Sequence, residues 1–180
     1  KYIINHNIYM KKILYTLISL TFISGTIFSE QLIGYGQDDY GISMYVPESY
    51  KLVNNDMALI AVNDSLGVSL GYYYSNSDKS VEQHLRGLEF GLGAINQLDS
   101  AEIFIPEEEL EIYGADSGIT GFYRETGWEN NESQSVIILK KDSVVVMISL
   151  RISGNPNLET LEMLTDCISL FRFNEVAEEK

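Results

Sequence analysis

Two almost continuously apolar segments constrain the fold more than any other feature of the sequence. Val136–Leu139 and Val144–Ile148 are apolar at every position, and Lys141-Asp142 between them has the length of a two-residue hairpin turn. A strand with one buried face alternates apolar and polar residues, whereas a strand buried on both faces does not alternate. The pair therefore predicts a central hairpin in a sheet that is covered on both sides.

Further strands and two helices are predicted around this hairpin. Segments bounded by turn residues and rich in alternating or β-branched residues predict strands. The predicted strands are Gly41–Val46, Ala58–Val62, Leu66–Tyr74, Ala101–Ile105, Leu110–Tyr113, Ile119–Glu125, Gln134–Lys140 and Ser143–Ile152. Ser80 and Gln83 form the capping box of a first helix, whose apolar residues recur three and four positions apart. Pro156 lies near the start of a second helix.

These elements make one α+β domain over residues 41–173. Residues 30–40 are polar and contain glycine, which is typical of a lead-in to the domain. Residues 174–180 form a charged tail.

The N-terminal region has the pattern of a secretory signal peptide over residues 10–29. Lys11 and Lys12 precede the apolar stretch Ile13–Ile23, and small residues follow up to Ser29. We expect Met10 to be the natural start, with residues 1–9 as an upstream extension. The pattern predicts an extracytoplasmic protein, either periplasmic or secreted. A retained membrane anchor is the main alternative, although the apolar stretch is shorter than the roughly 20 residues that a helical span needs.

The charge of the chain excludes one class of partner. With 26 Asp and Glu against 12 Lys and Arg, the formal net charge is -14, and such a surface repels phosphate backbones. Nucleic-acid binding is therefore not expected. Cys167 is the only cysteine, so neither an internal disulfide nor a cysteine metal cluster can form. We expect no cofactor.

The order of elements resembles the PsbP-like fold, a group that includes the P subunit of photosystem II and the DcrB-like periplasmic proteins. The resemblance rests on Gly41–Pro47, on Ile112-Tyr113-Gly114 with Gly118, and on Ile168–Phe173. It implies a three-layer α/β/α sandwich with a mainly antiparallel central sheet. It also implies an accessory or binding role, because the better-known relatives act through partners. Together with the leader and the lack of a convincing active site, it leads us to expect a non-enzymatic protein with a protein partner in the cell envelope.

Two groups of residues invite a catalytic or metal-binding interpretation. Asp116 and Ser117 lie in a glycine-flanked loop and, with His84, could form the triad of a small extracytoplasmic hydrolase. A turn between strands is the simpler interpretation of that loop, and local packing is the simpler one for His84. The carboxylates within Pro106–Glu111 are potential Ca²⁺ ligands, but they lack the spacing of an EF-hand, and a solvated turn is the alternative. We therefore predict neither catalytic residues nor a metal site.

A binding surface is predicted from aromatic and arginine residues, which are enriched at protein interfaces. The candidates are Tyr72, Tyr74, Tyr123, Arg124 and Trp128. Packing of these side chains in the core is the alternative. The Tyr72–Tyr74 run places aromatic rings on both faces of one strand, so at least one ring is expected at the surface.

Overall fold

A seven-stranded antiparallel sheet forms the centre of the protein in the computed structural model, which describes residues 30–93, 103–124 and 133–174. The strands are β3 (Lys51–Asn55), β4 (Ala58–Asn63), β5 (Val68–Asn76), β6 (Ile103–Phe104), β7 (Ser117–Arg124), β8 (Ser133–Lys141) and β9 (Val144–Ile152). Their spatial order is β3-β4-β5-β9-β8-β7-β6. The predicted central hairpin is therefore confirmed, since β8 and β9 lie inside the sheet with neighbours on both sides.

The turn of that hairpin lies one residue later than the sequence suggested. Lys141 pairs with Val144, so the loop is Asp142-Ser143. Asp142 adopts a positive φ of 52°, which aspartate tolerates better than most residues. The position of the turn follows from the pairing of β8 with β9, in which Lys141 is the last residue of β8.

A second sheet of three antiparallel strands lies beside the first. It consists of β1 (Leu32–Gln37), β2 (Ile42–Pro47) and β10 (Arg172–Phe173), in the order β1-β2-β10. The segment interpreted as a lead-in is thus part of the domain: Gly34 pairs with Tyr45, and a Cβ at Gly34 would lie 3.1 Å from Cε1 of that tyrosine. The glycines suggested a loop, but here they make room for an aromatic ring of the neighbouring strand.

Three α-helices and a short 3-10 helix, Asp38–Tyr40, complete the described residues; the α-helices are α1 (Val81–Gly93), α2 (Glu107–Tyr113) and α3 (Leu158–Ser169). The capping box predicted for α1 is present, with the Ser80 backbone N–H donating to Oε1 of Gln83 at 2.9 Å. Asn157 caps α3 by accepting a hydrogen bond from the Thr160 backbone N–H at 2.8 Å. No helix of the described residues combines the length and the apolar character that a membrane crossing requires.

The predicted strand Leu110–Tyr113 is wrong, because these residues end α2. Three glutamates, Glu107–Glu109, occupy the first turn, where negative charge stabilises a helix. The helix ends at Gly114, which has a φ of 69°, a conformation that glycine adopts without strain. Over only four residues, apolar side chains at strand spacing cannot be distinguished from apolar side chains at helical spacing.

Two clusters of buried side chains hold helices on opposite faces of the large sheet. On one face, α3 and the small sheet pack over β4, β5 and β9 around Met44, Leu70 and Leu164. On the other face, α1 packs over β7 and β8 around Leu85, Ile119 and Val136. The arrangement is an α+β sandwich with a mainly antiparallel sheet, as predicted.

Candidate functional site

The face of the large sheet that carries α1 is covered unevenly. Strand register aligns its side chains in rows across the sheet. One row runs through Val53, Ile60, Gly71, Ser149, Val136 and Gly121. The β7–β8 end of this row lies under α1, and we call it the covered half. The β3–β4–β5 end, together with the Ser149–Arg151 end of β9, is called the open half, and its residues include Val53, Ile60, Val62, Ser69, Gly71, Tyr73, Ser149 and Arg151. Val145 and Met147, nearer the start of β9, pack in the cluster beneath α1.

The covered half shows how this face accepts a helix. A Cβ at Gly121 would lie 2.9 Å from Cδ1 of Leu85 in α1 and 3.0 Å from Oη of Tyr123. The ring of Tyr123 therefore lies back over Gly121, and the helix contacts both. Tyr123 is only 2% exposed and Leu85 only 1%.

The open half carries a glycine–tyrosine pair of the same kind on β5, which runs opposite to β7. A Cβ at Gly71 would lie 2.7 Å from Cε2 and 3.0 Å from Oη of Tyr73, so this ring also lies over a glycine two residues before it. Tyr73 is 36% exposed, however, and Val53, on the edge strand in the row of Gly71, is 47% exposed. Two equivalent glycine–tyrosine positions thus differ in their cover.

The charged groups on the open half are basic. Lys51 and Arg151 are both exposed and lie in one row, with Val62 and Ser69 between them. None of the strand residues that point to the open half is acidic. This sign is opposite to that of the whole chain, whose net charge is -14.

Acidic groups gather instead on helices elsewhere. Burial, together with the neighbouring Glu108, raises the pKa of Glu109 in α2. Burial and Glu162 likewise raise the pKa of Asp166 in α3. Exposed acidic residues also lie in the turns at the ends of the open half, Asp56 between β3 and β4 and Asp64 between β4 and β5.

The floor of the open half is polar where it is deepest. Ser149 is 6% exposed, and Nε2 of Gln134 donates a hydrogen bond to its Oγ at 2.8 Å. A partner can therefore approach this floor without leaving the serine unpaired.

Three of the predicted binding residues lie in the core. Tyr72 is fully buried, and its hydroxyl bonds the backbone oxygens of Tyr45 at 2.9 Å and Cys167 at 3.1 Å. Tyr74 is 2% exposed and donates to the Asn55 backbone oxygen at 3.1 Å. With Tyr123 under α1, these rings follow the core-packing alternative. Arg124 ends β7, but its side chain and the whole of Trp128 lie outside the described residues.

Tyr73 and its neighbours were not among the predicted binding residues. The expectation that one ring of the run reaches the surface is confirmed by Tyr73. The available signal was a repeated pattern of glycine, aromatic residue and tyrosine, at Gly71–Tyr73 and Gly121–Tyr123. The pattern identifies two glycine–tyrosine pairs, and only the structure shows which pair lies beneath α1.

The three residues of the hydrolase alternative engage different neighbours. Nε2 of His84 and Oγ of Ser77 share a hydrogen bond at 2.9 Å, and burial, Lys79 and Lys140 lower the His84 pKa. Oδ2 of Asp116 accepts a hydrogen bond from the Asp142 backbone N–H at 2.7 Å. Ser117 pairs with Lys140 in the ladder of β7 and β8. Among the described residues, no hydrogen bond joins two members of the proposed triad.

The single cysteine lies on the opposite face of the sheet. Cys167 is fully buried, and burial, with Asp166 and Glu30, raises its pKa to about 12. The thiol is therefore protonated at neutral pH and is not a nucleophile. Within the described ranges, no three His, Cys, Asp or Glu side chains are grouped so as to hold a metal ion.

Comparison with known proteins places the fold. The structure is similar to the solution structure of cyanobacterial PsbP (CyanoP) from Synechocystis sp. PCC 6803, with a TM-score of 0.57 and 16% sequence identity over 86% of this chain and 99% of that chain. No protein-family model matches the sequence, and no curated protein matches it either. The chain therefore has a PsbP-like fold, as the resemblance implied.

Proposed function

We propose that this protein is an exported, non-enzymatic accessory protein of the cell envelope that binds a protein partner through the open half of the large sheet. The leader-like pattern over residues 10–29 supports export. The PsbP-like fold supports an accessory role. This support is an analogy, since fold alone does not decide function. The uneven cover of one sheet face supports the location of the interface.

The exposed ring of Tyr73 carries the proposal. It continues, with Val53 and Ile60, an apolar surface that runs beneath α1 at the other end of the sheet. Arg151 and Lys51 flank this surface. Aromatic and aliphatic groups surrounded by polar and charged ones are typical of the centre and rim of a protein interface.

Partner binding can be tested by photo-crosslinking. p-Benzoylphenylalanine would replace Tyr73 in the full chain, expressed in its native cells. Ile112, which is 44% exposed on α2, provides a matched control position on a different element. We expect a crosslinked protein that appears with position 73 and not with position 112. An identical set of products at both positions, or none at position 73, would contradict binding through the open half.

Export needs a separate measurement. We expect the native protein in the extracytoplasmic fraction, with an intact mass that lacks the residues up to Ser29. Recovery from the membrane with residues 10–29 still attached would support the tethered alternative instead. An untrimmed protein in the cytosol would refute export.

A further inference from the structure

We infer that the open half binds an amphipathic helix of the partner, and that acidic residues flank the apolar stripe of this helix. The inference rests on the proposed function and specifies the chemistry of the partner. It follows from the floor, the width and the charge of the open half.

The open half carries a glycine–tyrosine pair of the kind that already accepts α1, on a strand of opposite direction. Gly71 and Gly121 occupy the same row of the sheet, and each has a tyrosine ring folded over it from two residues further along the strand. In the covered half, Leu85 of a helix contacts this pair. Because β5 and β7 run in opposite directions, Tyr73 and Tyr123 lie on opposite sides of this row. The corresponding contact at Gly71 and Tyr73 therefore requires an apolar side chain presented beside α1 in the reversed orientation.

The width of the open half also suits a helix. The distance from β3 to β9 spans three inter-strand spacings, or about 14 Å at roughly 4.8 Å each. A helix with its side chains is about 10–12 Å across. Between the two edges the small residues Ala58, Ser69 and Ser149 alternate with Ile60, Val62 and the ring of Tyr73, so a helix there would meet an apolar surface of uneven height.

The charges select an acidic helix. Lys51 and Arg151 lie toward opposite sides of the floor, separated by Val62 and Ser69. A helix lying between them meets a cation on each side, so acidic residues flanking its apolar stripe are attracted, whereas basic ones are repelled.

The inference is tested with the crosslinker at position 73 in isolated envelope fractions, so that the salt concentration can be varied. Mass spectrometry of the crosslinked peptide should identify a partner segment with apolar residues three and four apart and acidic residues beside them. Lys51→Glu should lower the crosslink yield about threefold or more at low salt, since a charge at the rim of an interface mainly affects association. The loss should vanish near 1 M salt, where the screening length is only about 3 Å.

Lys141→Glu is the matched control, because it changes the net charge equally but lies at the hairpin end of β8, on the other face of the sheet. Its yield should stay within about twofold of the unsubstituted chain. A crosslink to a basic or extended segment, to another part of this chain or to a second copy would overturn the inference. Equal effects of Lys51→Glu and Lys141→Glu would do so too. The absence of any crosslinked protein would instead contradict the proposed function itself.

Discussion

The two halves of one sheet face share a floor and differ in their cover. In the covered half, Tyr123 over Gly121 is sealed beneath Leu85 of α1. In the open half, Tyr73 over Gly71 makes the same intrastrand contact but remains 36% exposed. The difference teaches that the glycine–tyrosine contact forms within one strand, whereas a separate element decides whether the pair is buried or remains exposed.

The largest expected contrast is between Leu85→Ala and Val53→Ala. Leu85 is 1% exposed beneath the helix, and truncation of a buried leucine costs about 2–5 kcal/mol. Val53 is 47% exposed, so its truncation should change the free energy of unfolding by about 0.5 kcal/mol or less. Urea unfolding of both variants measures the contrast. Comparable losses would mean that the open half is already covered in the free protein.

Alanine substitution of the two glycines is the next test. At Gly121 the added methyl would press on Leu85 and Tyr123, which are both held in place, so we expect a loss of about 1–3 kcal/mol. At Gly71 the nearest atom is in the ring of Tyr73, which can turn outwards into the open half. A loss below about 1 kcal/mol is expected there. Thermal or urea unfolding would check both, and a larger loss at Gly71 would argue against a movable ring.

Removal of single hydroxyl groups extends the comparison to the two faces of β5. Tyr72→Phe removes hydrogen bonds to two backbone oxygens in the core and should cost about 1 kcal/mol. Tyr73→Phe, on the neighbouring residue, should leave the free energy of unfolding within about 0.5 kcal/mol of the original. The order of the two urea midpoints decides the outcome. A lower urea midpoint for Tyr73→Phe than for Tyr72→Phe would mean that the hydroxyl of Tyr73, and not that of Tyr72, stabilises the fold.

The smallest effect concerns pH and the helix that forms the cover. The folded-state pKa of His84 lies below its usual value of 6.5, because of burial first and of Lys79 and Lys140 second. Protonation therefore favours the unfolded chain, and stability is lost as the pH falls through 6.5 toward the lower folded value. His84→Gln should show a shallower decrease in the free energy of unfolding between about pH 7.5 and 5.5. Parallel curves for the two proteins would assign the pH dependence to other groups.

Local sequence patterns correctly predicted the elements that are long enough to repeat a helical or strand spacing several times. Helix α1 has a capping box and several apolar residues at helical spacing, and the β8–β9 hairpin has two apolar segments around a short turn. Helix α2 was mistaken for a strand because it has only seven residues. Strand β1 was mistaken for a lead-in because Gly34 and Gly36 resemble loop residues until the ring of Tyr45 is seen beside Gly34.

The candidate site was less predictable than the fold. The sequence indicated an aromatic run at Tyr72–Tyr74 and a similar pattern ending at Tyr123. It suggested Tyr72 and Tyr74 as binding residues, whereas the strand register turns these two into the core and Tyr73 outwards. A one-residue shift exchanges the faces of a strand, so composition alone could not choose between them.

By itself the sequence determined helix α1, the double-sided burial of the β8–β9 hairpin and the acidic charge of the chain. These properties depend on residues close together in the sequence or on the total number of charged residues. Only the tertiary structure decided which half of the sheet face α1 covers and which tyrosine remains at the surface. A period of two assigns a side chain to a face, but the covering of that face depends on contacts between segments distant in the chain.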